Sequence, residues 1–186
     1  MSASPPWKLV VTGAVGIVAG VALLSRNWTI ATLAAFVGLA LLTRGSLHLV
    51  ASVSFVGFAG AFAVLAVAGD AGVGITALAW PHPTRLSLAL LVGVWAVVRA
   101  IVGGTIAVTT RADHPWWLLS VVVAIIAGVL GVVLIARSGG SVRTTAVTIG
   151  LLMLLEGTRE VSEGGVRHRR DRRLTQGSHT HSAAAA

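Results

Sequence analysis

Six ionisable residues, Arg44, His48, Asp70, Arg99, Glu156 and Glu160, lie within stretches of chain that are otherwise almost wholly apolar. Such groups can do two things, pair with one another or exchange protons. An unpaired ion in the middle of a bilayer costs from ~2.5 kcal/mol on insertion scales to far more in simulations, so these side chains are expected to face inward and find partners. Arg44 and Arg99 would be balanced by Asp70 and Glu156, a neutral quartet. Helical spacing adds a second layer: His48 follows Arg44 by four residues and Glu160 follows Glu156 by four, so each pair shares a face. Trp95, four residues before Arg99, is expected to cover its guanidinium by a cation–π contact. A histidine beside an arginine, and two carboxylates on one face, can change protonation at mildly acidic pH. The plain role of such a cluster is to hold helices in register; proton sensing and a conduction path are the bolder ones.

Little else in the chain invites chemistry. It has no cysteine, which removes disulfides, thiolate metal sites and thiol nucleophiles together. It has no GxxxxGK[ST] phosphate loop, no HExxH and no GxSxG, so no enzyme activity and no cofactor are expected. His168, His179 and His181 fall in a polar tail too flexible to make a metal site, and none is expected.

The elements that must position the six residues follow from composition. Of 186 residues 55% are hydrophobic and 11% charged, and mean hydropathy is +0.89. The apolar runs are continuous rather than alternating, and hydrocarbon offers the backbone no hydrogen bonds, so membrane-spanning helices are the form that fits. The expected fold is all-α, with six transmembrane helices near residues 7–24, 29–52, 55–80, 86–109, 116–136 and 144–161. Turn-forming residues separate them, among them Pro81, Pro83, Pro115, Gly139 and Gly140. Trp7, Trp28, Trp80, Trp116 and Trp117 fall at span ends, where an amphipathic ring favours the headgroup layer. The first span is read as retained rather than as a cleaved leader. Gly69, Asp70, Gly72 and Gly74 concentrate in the third, which is expected to be kinked or broken.

A repeat runs through the even-numbered spans, where a glycine precedes a charged residue by six positions: Gly38 and Arg44, Gly93 and Arg99, Gly150 and Glu156. Three tandem helical hairpins, near residues 7–52, 55–109 and 116–161, are the simplest account. Gly16 and Gly20 form a GxxxG pair, and Gly13, Gly57, Gly60, Gly128 and Gly131 extend the small-residue faces. Close packing within the chain is the ordinary reading, and a homo-oligomer or docking to a membrane complex the alternative.

Net charge is +8 and the isoelectric point about 11.9, yet the clustered positive charge lies just past the last span, at Arg167, Arg169, Arg170, Arg172 and Arg173. That placement fits a topology signal and attraction to anionic lipid headgroups rather than nucleic acid. Both termini are expected on the cytoplasmic side, with residues 1–6 as a short N-terminal segment and 164–186 as a basic, then low-complexity, disordered tail.

The hairpin grammar, Trp7 with Gly13, Gly16 and Gly20, a short turn, and then FVGLALLTRGSLHLV with its relatives LLVGVWAVVRAIVGG and IGLLMLLEGTREV, resembles the HdeD-like small membrane proteins of bacteria over about residues 7–163. The resemblance implies a multi-pass, non-enzymatic plasma-membrane protein connected with acid or envelope stress. Asp70, the long turn at 137–143 and the arginine-rich tail depart from that pattern. A small proton-coupled transporter or channel built on Asp70, Glu156, Glu160 and His48, and an accessory subunit of a larger complex, are the competing expectations.

Overall fold

A computed structural model describes residues 7–52, 58–80, 82–109, 111 and 117–184, with side chains described outside 8, 50–52, 58–63 and 166–184. These residues form six helices and no strand: α1 (Trp7–Ser25), α2 (Ile30–Ser52), α3 (Phe58–Ala79), α4 (Arg85–Thr109), α5 (Trp117–Ala136) and α6 (Val142–Ala184). Residues 1–6, Gly57 and Trp116 lie outside the described residues, as do the surroundings of Gly60 and the side chains of His168, His179, His181 and the five tail arginines.

The even-numbered helices begin alike. Thr29, Thr84 and Ser141 each stand at an N-cap and accept a hydrogen bond from the backbone N–H three residues on, at Thr32 (3.3 Å), Ser87 (3.1 Å) and Thr144 (3.1 Å). The caps satisfy N–H groups that a helix leaves orphaned at its start. Each cap lies nine residues before a repeat glycine, Gly38, Gly93 or Gly150.

Three stretches are long and apolar enough to cross a bilayer on their own, Ile30–Leu49, Arg85–Thr109 and Trp117–Ala136, while Leu9–Ser25 and Val64–Ala79 are apolar but shorter. The outer surface is what a hydrocarbon solvent calls for. Val18, Leu39, Val64, Ile101, Ile125 and Val129 are each more than half exposed. The interior instead holds threonines, carboxylates and an arginine among Leu, Val and Ala.

Helix pairing differs from the expected hairpins. The most extensive packing joins α2 to α3, α4 to α5 and α6 to α1, and contacts within each expected hairpin are sparser. Glycines explain the choice. A Cβ built on Gly38 would lie 2.9 Å from the Gly74 carbonyl oxygen, and one on Gly74 would lie 2.9 Å from that of Gly38. The same reciprocal approach recurs between Gly93 and Gly131, at 3.0 and 2.9 Å, and between Gly20 and Gly150, at 2.7 and 3.1 Å. Lipid tails are as apolar as leucine, so burial gives helices little reason to associate; backbones that approach closely gain dispersion and Cα–H···O contacts instead. Each even helix therefore grips the odd helix of the following repeat, and α6 closes the ring on α1.

One further expectation is corrected. The α3 helix is continuous through its glycines, because Gly69 and Gly74 serve as contact points for Trp95 and Gly38 rather than as breaks. The backbone of α6 continues as helix to Ala184.

Candidate functional site: a buried charge network

The equivalent positions six residues after the repeat glycines bring Arg44, Arg99 and Glu156 together where α2, α4 and α6 face one another. Had the third position been arginine too, three like charges would meet. Glutamate there turns repulsion into attraction. Arg44 Nη2 donates to Glu156 Oε2 and also to Glu160 Oε1, while Arg99 Nε meets Glu156 Oε2 at 2.8 Å. Asp70 enters from α3, and Arg99 Nη1 donates to both its oxygens, at 2.7 and 2.8 Å. The network is buried, with Asp70 at 0%, Glu160 at 1% and Arg44 at 5% exposure.

Small residues admit these side chains. The Trp95 indole N–H donates to Asp70 Oδ1 at 2.8 Å, and its ring occupies the space that a Cβ on Gly69 would fill. Gly45 lets α2 approach the neighbourhood of Asp70, since a Cβ there would lie 3.3 Å from the Asp70 Cβ. His48 completes the cluster, with Nε2 3.1 Å from Glu160 Oε1. A cavity of about 40 Å³ adjoins the network, lined in part by Arg44, Asp70, Arg99 and Glu156.

The structure thus places Arg44, Arg99, Asp70, Glu156, His48, Glu160 and Trp95 in one connected group, with two of them in different roles from those the sequence led one to expect. Glu160 pairs directly with Arg44 rather than standing behind Glu156. Trp95 binds Asp70; the cation–π contact among the described residues is instead Arg26 over Trp28, 5.9 Å from the ring centroid. Aiming the indole N–H at a fully buried carboxylate satisfies both polar groups in a medium without water. Gly16 and Gly20 lie away from the network, against Gly157 and Gly150 on α6.

Counting charges exposes a feature that the quartet concealed. Two guanidinium groups face three carboxylates, so the cluster carries one net negative charge unless a proton resides on it. Glu160 Oε2 is buried without a hydrogen-bond partner among the described residues, as is Arg44 Nε. Among those residues no group of three or more His, Asp or Glu side chains is disposed to hold a metal ion.

Sequence reasoning missed Gly69, whose absent side chain seats Trp95, and the cap spacing of the repeat. The second was legible, since Thr29, Thr84 and Ser141 recur at the same offset from Gly38, Gly93 and Gly150. Neither a curated protein nor a solved structure matches the chain. Two overlapping stretches, residues 68–130 and 122–176, match one family model and together cover more than half of the chain. Both stretches fall on the repeating helices α3 to α6, and the chain belongs to the family described as "Short repeat of unknown function (DUF308)".

Proposed function

We propose that this is a non-enzymatic, six-span, HdeD-like protein of the bacterial plasma membrane that supports tolerance of acid or envelope stress through its buried charge network. Both termini would be cytoplasmic, following the arginine excess after the last span. Short apolar helices such as Leu9–Ser25 complete the spans when packed against longer neighbours. The reading rests above all on one observation: a network of seven polar side chains, buried or half-buried inside an apolar bundle, with two positive charges against three negative.

His48 faces Glu160 of α6 at the edge of the cluster, with Arg44 on its own helix and Glu156, Arg99 and Asp70 beyond. A strain lacking the protein, complemented with wild type, Glu160→Gln or Arg99→Ala and assayed for acid survival, tests this reading. Wild type is expected to protect and Arg99→Ala to fail at matched membrane abundance. Protection that merely tracks abundance would reduce the network to a structural role, and a deletion without phenotype would end the stress reading.

A proton-coupled transporter is the second reading. It is favoured by His48, the most accessible ionisable member of the network at 22% side-chain exposure, sitting against Glu160, and by the small cavity beside Asp70. Proton flux in liposomes holding the purified protein, abolished by Asp70→Asn, would support it; tight liposomes would not.

A further inference from the structure

The three seams inside the expected hairpins are looser than the glycine-packed ones, and the seam between α5 and α6 is open enough to form a groove of about 380 Å³. Its walls are Leu119 and Val123 from α5 and Leu151, Leu154 and Leu155 from α6, and it ends at Thr158, Arg159 and Ser162. Leu119 and Leu151 are each at least 40% exposed, so the groove opens to the surrounding hydrocarbon.

An apolar trough with one cation at its end is a particular shape. The repeat makes this cation conspicuous: nine residues after the repeat glycine stand Leu47 in α2 and Val102 in α4, but Arg159 in α6. Arg159 forms an ion pair with Glu163, whose Oε1 lies 3.5 Å from a buried Nε that has no hydrogen-bond partner among the described residues, and its charge also acts on Glu156. Ser120 of α5 also reaches Glu163, at 3.4 Å, and draws it toward that helix. Nη1 extends toward α4, where Gly103 has no side chain and a Cβ would lie 3.6 Å away. The guanidinium therefore sits within the seam at ion-pair distance from Glu163, with its Nε left without a hydrogen bond among the described residues.

Depth fits a headgroup. From the cap at Ser141 to Arg159 the helix rises ~27 Å at 1.5 Å per residue, close to the ~30 Å of a hydrocarbon core. Arg159 therefore reaches the polar boundary, and Leu151 lies ~12 Å deeper along the same helix. The arginines at 167, 169, 170, 172 and 173 follow on the same side in sequence, and each basic residue near the surface attracts anionic lipid by ~1 kcal/mol. The larger groove between α4 and α5, about 760 Å³, lacks this feature. Its polar lining residues are Thr105 and Thr109, whose hydroxyls donate to carbonyls of their own helix.

We propose that the α5–α6 groove is a binding site for an anionic phospholipid, with an acyl chain along Leu119, Val123, Leu151 and Leu155 and the headgroup phosphate on the Arg159 guanidinium. The Arg159 side chain, 22% exposed, takes the phosphate as a charge-assisted partner, and Glu163 limits how tightly it is held. Occupancy also fills a seam that glycine packing leaves open, joining α6 to α5 as firmly as α6 is joined to α1.

The test uses the full chain reconstituted in bilayers of phosphatidylglycerol and phosphatidylcholine, extracted gently and examined by native mass spectrometry. Wild type is expected to retain phosphatidylglycerol in preference to phosphatidylcholine. Arg159→Gln should weaken that retention by about tenfold, equivalent to ~1.4 kcal/mol. Arg159→Lys should restore part of it. Arg111→Gln, an exposed arginine outside the groove, should leave it unchanged. Leu151→Trp, which fills the trough ~12 Å from the charge along α6, should displace the lipid, and it guards against an Arg159 variant that simply folds poorly. Equal retention of both lipids, undiminished retention by Arg159→Gln and Leu151→Trp, or an equal loss in Arg111→Gln would each overturn the proposal.

Discussion

Arg99 is the hinge of the charge network, since it alone bridges Asp70 of α3 and Glu156 of α6. Removing one partner of a buried ion pair strands the others, which costs about 3–5 kcal/mol in proteins generally. Arg99→Ala is therefore expected to lower the unfolding midpoint in detergent far more than Trp95→Phe. The latter removes the hydrogen bond to Asp70 together with the benzo-ring atoms that fill the gap at Gly69, a loss of about 1–2 kcal/mol. Comparable losses would mean that the indole N–H, rather than the guanidinium, holds Asp70. At this scale much was legible in advance: Arg44, Arg99, Asp70 and Glu156 advertise themselves because a charge in an apolar run must be paired. What the sequence hid was direction. Nothing in the spacing of Trp95 and Arg99 says that the indole points at Asp70, since that depends on the rotation of α3 against α4 and on the gap that Gly69 leaves.

The six helices are packed in three pairs by one device, reciprocal glycines whose carbonyl oxygens occupy each other's Cβ space. Adding a methyl at such a contact forces the backbones apart. Gly93→Ala is expected to cost about 1–3 kcal/mol, as overpacking of a tight interface does, and Gly38→Ala and Gly150→Ala should behave alike by the repeat. Gly72→Ala is the control: nothing lies within 4 Å of its Cβ position, so the change should be neutral or stabilise the helix by up to ~1 kcal/mol. Thermal unfolding of the four variants in one detergent decides the matter, and uniform effects would count against glycine-specific packing. Helix number and placement were readable because a spanning run of apolar residues with tryptophan at its ends is a strong pattern. Partner choice was not, because Gly38, Gly93 and Gly150 mark a close contact without saying with what.

The whole molecule is a closed ring in which the last helix returns to the first, α6 running antiparallel to α1 so that Gly13 meets Gly157 while Gly20 meets Gly150. Closure has a testable consequence for connectivity. A circular permutant opened between residues 52 and 58 and joined by a flexible linker from residue 166 to residue 7 preserves every glycine pair. It should reach the membrane at wild-type abundance. A permutant that fails to insert, alongside a wild type that inserts normally, would argue that α1 and α6 are not stable neighbours.

Composition and pattern by themselves determined that the chain is helical, that its helices belong in a bilayer, and that a unit of about 55–57 residues is repeated. Those properties are set residue by residue, by transfer from water to hydrocarbon and by the need of every backbone group for a hydrogen bond. Only the tertiary structure decided that the tight pairs cross repeat boundaries, that Glu160 joins Arg44, and that Arg159 ends an open groove. Each of these depends on how two helices are rotated and how closely they approach. Distances between residues more than a hundred positions apart, such as Arg44 and Glu156, fix that geometry, and no local periodicity encodes them.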